Sequence, residues 1–239
     1  VIPLFVGYDP RESAVYHVLN QSLLDATTEP VSVTALHAPQ LNGFDGQQDG
    51  TNAFIYSRFL VPELMKFDGW AVYCDSDMLF VGDLKELWDL RDDKYAVMVV
   101  KHDYETTRNI KFVGTPIESP NESYPRKNWS SLILWNCGHP KNRILTRDYV
   151  SSAGGKILHR FSWLNDEHIG DVPREWNHLC GEYAMEAHVK NVHYTLGAPG
   201  FAHYQDCHYS YEWHQTLLNV NHMIGRDPVE MVRRAKNGF

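Results

Sequence analysis

Short apolar runs and stretches of helical spacing alternate along most of the chain. Ile2 to Asp9 (IPLFVGYD) is an apolar run that stops in a Gly-Tyr-Asp-Pro turn. RESAVYHVLNQSLLDA, from Arg11, spaces its apolar residues as an amphipathic helix does, so the two form a βα unit. Val31 to Ala38 (VSVTALHA) alternates like a strand. A loop rich in Gly, Gln and Asp, LNGFDGQQDG, leads into TNAFIYSRFLVPELM, predicted as a helix starting near Thr51 with a kink at Pro62. A third strand ends at Cys74, LKELWDLR is a short helix, and Tyr95 to His102 and Trp129 to Asn136 are further strands.

Strands alternating with helices predict an α/β fold with a mostly parallel central sheet and helices on both faces. Ligands of such sheets sit beyond the carboxyl ends of the strands. Asp9, Asp75, Asp77 and His102 all fall at predicted strand ends, which gathers them on one rim. Residues 103–128 read as a long polar loop, the kind that serves as a lid or binding loop. No repeat, low-complexity tract or linker divides the chain, so one domain is expected.

In WAVYCDSDMLFVGDL, Asp75 and Asp77 interrupt a run that otherwise wants burial. An unpaired buried carboxylate costs several kcal/mol or takes up a proton, so both need a partner. Flanking a single residue, the two point to the same side of an extended chain and can share a divalent cation. Hard oxygen ligands at a strand end suit Mg²⁺ or Mn²⁺, which commonly bind substrate phosphates as well. The plainer alternative makes both of them turn or cap residues. His193, ending a strand-like stretch, is a candidate third ligand. His203, His208, Cys207, Cys180 and His178 offer a zinc alternative, although their spacing matches no standard zinc signature.

Composition narrows the function. With 239 residues, 43% of them hydrophobic, the chain can bury one sizeable core. A net charge of −8 with no lysine block argues against nucleic acid and anionic membranes. The four cysteines form no CxxC pair, so reduced thiols and a cytoplasmic location are expected. No apolar run reaches the roughly 18 residues of a transmembrane span, and no secretory pattern opens the sequence.

The order of motifs resembles the retaining glycosyltransferases of family 8, with their GT-A nucleotide-sugar fold. FVGYDPRE resembles the first strand and its polar turn, AFIYSRFLVPEL the arginine-bearing helix, and DSDMLFVGDLKELWDL the D-x-D block. WSSLILWNC stands in place of an Asn-(Ala/Ser)-Gly strand, LNDEHIGDVPREWNHL resembles an acidic acceptor-side loop followed by Trp-Asn, and VHYTLGAPGF a His-x-x-Gly segment. The resemblance implies one GT-A domain over 1–239: a nucleotide-binding half (1–100), a sugar and acceptor half (101–205) and a C-terminal helical segment (206–239).

It further implies that Asp75, Asp77 and His193 hold Mn²⁺ or Mg²⁺ on the diphosphate of a UDP-sugar. Tyr8 and Asp9 would meet the base, Arg58 and Ser76 would contribute to donor binding, and Asp166 and Glu167 would lie beside the sugar as catalytic carboxylates. The acceptor could be a glycan, a lipid-linked sugar or a protein. Three departures stand out. Ser130-Ser131-Leu132 lacks the Asn and Gly, one extra residue separates His193 from Gly197, and Ala198-Pro199-Gly200 replaces Lys-Pro-Trp, so the diphosphate must be clamped from elsewhere. Two other functions compete: a catalytically impaired nucleotide- or carbohydrate-binding module, and a sugar-phosphate nucleotidyltransferase. The second would want a Gly-rich basic loop where GYDPRE stands.

Overall fold

The computed structural model describes residues 1–41, 44, 52 and 54–222. In chain order the elements are β1 (Ile2–Gly7), α1 (Ser13–Ala26), β2 (Val31–Leu36), α2 (Val61–Leu64), β3 (Trp70–Cys74) and β4 (Met78–Phe80). Then come α3 (Leu84–Trp88), β5 (Val97–Val99), β6 (Ile110–Lys111), β7 (Ser119–Pro120), β8 (Leu132–Asn136), α4 (Arg147–Ser152) and α5 (Gly155–His159). The last are β9 (Ile169–Asp171), β10 (His178–Leu179), β11 (Asn191–His193) and α6 (Ser210–His222).

The six-stranded sheet has the order β2-β1-β3-β8-β5-β9, and its pairs are parallel except those that β8 makes with β3 and β5. Alternation along each strand builds two cores, because successive side chains leave opposite faces of a sheet. Phe5, Ala71, Tyr73, Val97, Val99, Ile133 and Trp135 point to one face, where Phe59, Leu60, Val61, Val150 and Leu158 cover them. Leu4, Val6, Val72, Cys74, Met98, Leu132 and Leu134 point to the other, under Leu19 and Leu23 of α1 and Leu84 and Leu87 of α3. A third cluster, with Val15, Val18, Val192, Tyr194 and Trp213, fastens α6 and β11 to α1.

Several boundaries differ from the sequence expectation. The predicted strand starting at Trp129 begins with a 3₁₀ turn, Trp129–Ser131, and pairs only from Leu132. Ser57–Leu60 is also 3₁₀ and is followed by the four residues of α2, while the predicted helix start near Thr51 lies outside the described residues. So does the C-terminal segment beyond His222. The 103–128 loop carries the β6–β7 hairpin.

What positions the site is a change of sheet. After β3 the chain bends through Asp75, Ser76 and Asp77, and β4 joins a separate three-stranded sheet, β10-β11-β4. There Met78 lies opposite His193, and Tyr194 N–H donates to the Asp77 carbonyl at 2.8 Å. Asp75 N–H donates back to Ser131 at 2.9 Å. The D-x-D bend is thus held on one side by the central sheet and on the other by the strand that ends in His193. Gly7 permits a close approach nearby, since a Cβ there would lie 2.2 Å from the Phe54 ring.

Candidate metal and donor site

Asp75 has protein partners. Its Oδ1 accepts from the Tyr73 hydroxyl at 2.6 Å and lies 3.0 Å from Arg58 Nη1. Arg58 is itself buried, donating to the carbonyls of Ser130 (2.8 Å) and Ile55 (3.1 Å), with its guanidinium 5.0 Å from the centre of the Tyr73 ring. Burial nevertheless pushes the Asp75 carboxyl above the usual range, against the pull of Arg58.

Asp77 differs. Its buried Oδ1 receives no hydrogen bond, yet it lies 3.3 Å from His193 Nε2. Which proton His193 carries follows from its neighbours. Ser131 Oγ spends its only proton on the Asn128 carbonyl (2.7 Å), so the atom that Asn177 turns to it at 2.9 Å must be the amide nitrogen. Asn177 Oδ1 therefore faces His193 Nδ1 at 3.0 Å and accepts its proton. In the neutral imidazole this leaves the Nε2 lone pair directed at a carboxylate oxygen that also lacks a donor. Two acceptors in contact call for a cation between or beside them.

Asp75, Asp77 and His193 each offer a ligand atom, all within 4.8 Å of one another, and no other such group of three occurs among the described residues. The zinc alternative through His178, Cys180, His203, Cys207 and His208 is therefore set aside. Two carboxylates and an imidazole fit Mn²⁺ or Mg²⁺, with room for phosphate oxygens to complete the shell. The ligands open into a cavity of about 120 Å³ that Arg58, Lys111, Tyr124, Ser130 and His159 also line. A larger one of about 610 Å³ adjoins it, sharing Ile55, Lys111, Tyr124, Asn128 and Thr195.

A third carboxylate, Glu12, escaped the sequence analysis because it reads as a helix first-turn acid. It is 2% exposed, accepts from Asn52 Nδ2 at 3.3 Å, and leaves Oε1 without a partner. Burial first, then the charges of Asp77, Asp9 and Asp75, push its pKa up to about 9.

The other expected residues divide. Tyr8 and Asp9 follow β1, whose Val6 lies opposite Cys74, so they share the rim with Asp75. Tyr8 packs edge-on against Tyr16 and His37, and Asp9 is buried, accepting from Arg11 N and Nε at 2.9 Å and Nη2 at 2.6 Å. Neither lines the cavity of the metal ligands, nor does Ser76, whose buried hydroxyl has no hydrogen-bond partner. His102 is buried and bonded to the Tyr183 hydroxyl through Nδ1 at 2.8 Å; burial holds its pKa down to about 3.

Asp166 and Glu167 do not reach the cavity. They precede β9, whose Ile169 lies opposite Val97, and Val97, like Ala71, lies opposite Trp135. That level is the start of β3, and neither acid lines the cavity of the metal ligands. Their side chains are 86% and 74% exposed, with Asp166 paired to Arg126.

Residues 13–132 match the model of Glycosyl transferase family 8. Protein CDI of Arabidopsis thaliana is 43% identical over 229 residues, spanning 91% of this chain and 86% of that protein. The chain belongs to glycosyl transferase family 8. As a member of the family it is a glycosyltransferase enzyme. Among solved structures it resembles the bifunctional glycosyltransferase WbbM in its apo form (TM-score 0.64, 13% identity, 92% of this chain). It spans 50% of WbbM. The galactosyltransferase LgtC in complex with donor and acceptor sugar analogs (TM-score 0.56, 12% identity) matches over 90% of this chain and 95% of its own. GlyE of Streptococcus pneumoniae (TM-score 0.58, 12% identity) matches over 91% and 61%. At these identities the likeness establishes the GT-A fold. No helix among the described residues is long and apolar enough to cross a membrane.

Asn177 tests the tautomer argument for this family member. Asn177→Leu removes the acceptor of the His193 Nδ1 proton and is expected to weaken Mn²⁺ about 10- to 100-fold, the usual cost of losing such an outer partner. Asn177→Asp keeps an acceptor and should lose less. Mn²⁺ titration followed by electron paramagnetic resonance reads both; equal losses would count against the argument.

Proposed function

We propose that the protein transfers a hexose from a UDP-sugar, with retention of anomeric configuration, using Mn²⁺ or Mg²⁺ held by Asp75, Asp77 and His193. The observation that carries this reading is the donorless Asp77 Oδ1 facing His193 Nε2. A bound divalent cation would neutralise the negative charge that builds on the diphosphate as the glycosidic bond breaks. In this reading residues 1–100 hold the nucleotide and residues 101–205 the sugar and acceptor.

The chain's own residues prepare that site. Arg58 and Tyr73 hold Asp75 in place, and Asn177 orients His193 by accepting its Nδ1 proton. Tyr8 and Asp9, on the same rim, are assigned to the base; Arg11 already occupies Asp9, so the base meets an ordered Asp9–Arg11 pair. Among the described residues, the only carboxylates lining the smaller cavity are Asp75 and Asp77, while Glu118 and Glu122 line the larger one. With Asp166 and Glu167 outside the lining of the metal-ligand cavity, we favour attack from the leaving-group side on a tightly held oxocarbenium-like sugar, without a carboxylate nucleophile.

A panel of nucleotide sugars in a thermal-shift assay, with Mn²⁺ and with EDTA, tests the reading. Stabilisation by UDP-sugars in Mn²⁺ alone is expected, and NMR of the first-formed product should show the donor's anomeric configuration. Binding without turnover or hydrolysis would favour the impaired binding module. No metal-dependent shift with any nucleotide sugar would reject the proposal.

A further inference from the structure

Four cations border the two adjoining cavities: Arg11, Arg58, Lys111 and Lys127. Three are already committed. Arg58 is held by Asp75 and Ser130, Arg11 by Asp9, and Lys127 Nζ donates to Asn121 Oδ1 (2.7 Å) and the Glu122 carbonyl (2.6 Å). Lys111 is different. Among the described residues its ammonium makes neither an ion pair nor a hydrogen bond, only a contact with the Phe112 ring, 5.2 Å to the centroid.

Its backbone is nonetheless fixed. β6 pairs Lys111 with Ser119, and the next residue, buried Phe112, donates its N–H to the Leu196 carbonyl at 2.6 Å. Leu196 lies three residues after His193, so the strand bearing the ammonium is tied to the segment that follows the metal ligand. Lys111 lines both cavities, and the carboxylates of Asp77 and Asp75 act on it from across the smaller one. Burial works against its charge more strongly than they support it. A cation in this position gains most from an anion entering between it and the metal ligands. The segment Ala198-Pro199-Gly200, where the family resemblance expects a lysine, supplies none.

We infer that Lys111, carried on the β6–β7 hairpin, binds the diphosphate of the nucleotide donor from the side opposite Asp75, Asp77 and His193. The inference rests on the donor reading above. It makes the hairpin part of the donor site, joining it to the D-x-D bend through the substrate's phosphates. Phosphate charge then determines how much Lys111 contributes: little for a nucleoside, more for a monophosphate, most for a diphosphate.

Calorimetric titration of the full chain in Mn²⁺ with uridine, UMP and UDP tests it, comparing wild type with Lys111→Met and Lys111→Arg. Methionine keeps most of the apolar stem and removes the charge. The expected result is at least a tenfold loss for UDP in Lys111→Met, a smaller loss for UMP, none for uridine, and partial recovery in Lys111→Arg. Thermal unfolding confirms that the variants fold. If wild type binds UDP and Lys111→Met binds it equally well, the inference fails while the donor reading stands. Tighter Mn²⁺ with unchanged UDP affinity would make Lys111 a mere counter-ion for the aspartates and also overturns it. If wild type binds no UDP in Mn²⁺, the donor reading fails and takes the inference with it.

Discussion

Asp77→Asn is expected to abolish Mn²⁺-dependent binding of UDP and to lower sugar transfer by about 10³-fold or more, the scale of losing several kcal/mol of transition-state stabilisation. The metal-free protein should keep its stability. Asp77 Oδ1 now faces the His193 Nε2 lone pair without a donor. An amide in its place can donate to that nitrogen, and a buried charge is lost. Melting in EDTA at or above the wild-type temperature, together with loss of the Mn²⁺-dependent UDP isotherm, is the expected pair of results. Unchanged UDP affinity would reject the metal site. Asp75→Asn should behave differently despite the symmetry of the motif. Asp75 is the counter-ion of buried Arg58, and leaving that cation unpaired costs about 3–5 kcal/mol in comparable buried pairs. The two aspartates of one triplet thus separate into a ligand whose loss spares the fold and a ligand that is also structural.

Glu12→Gln is expected to raise the stability of the metal-free protein, and to raise it most at alkaline pH. The folded-state pKa of Glu12, about 9, lies above its ordinary value of 4.5. Between those values the folded state holds a proton that the unfolded state has released. Stability from this group is therefore fully present below about pH 4.5 and falls as pH rises towards 9, by up to about 1.4 kcal/mol per unit. Glutamine is neutral throughout and retains the acceptor that Asn52 uses. In EDTA, wild type should lose several kcal/mol between pH 5 and pH 9, with much of that slope absent in Glu12→Gln. Denaturant unfolding across the range measures it. Parallel pH profiles would show that Glu12 titrates normally, and that the three carboxylates crowd one another less than their positions suggest.

The strands of the sheet and much of its surroundings were legible in the sequence because the cues are local. Alternation in β1 and β3 set which side chains reach each face, the Asp9-Pro10 turn marked the start of α1, and the apolar runs around Asp75-Ser76-Asp77 marked the bend. The D-x-D triplet and His193 could be named as candidates from their strand-end positions, and the family from the order of its motifs. The tertiary structure decided what those candidates meet. Pairing of β4 with β11 places His193 opposite Met78, a contact across 115 residues that no local pattern encodes. The buried arrangement of Arg58 and Tyr73 distinguishes Asp75 from Asp77, and packing around Pro10–Glu12 turns an ordinary first-turn acid into a buried carboxylate on which the site aspartates act. The tertiary structure likewise leaves Asp166 and Glu167 exposed and outside the lining of the metal-ligand cavity. Residue type and strand position are written locally, whereas the charge balance of the site depends on which distant strands pair and which carboxylates are buried together.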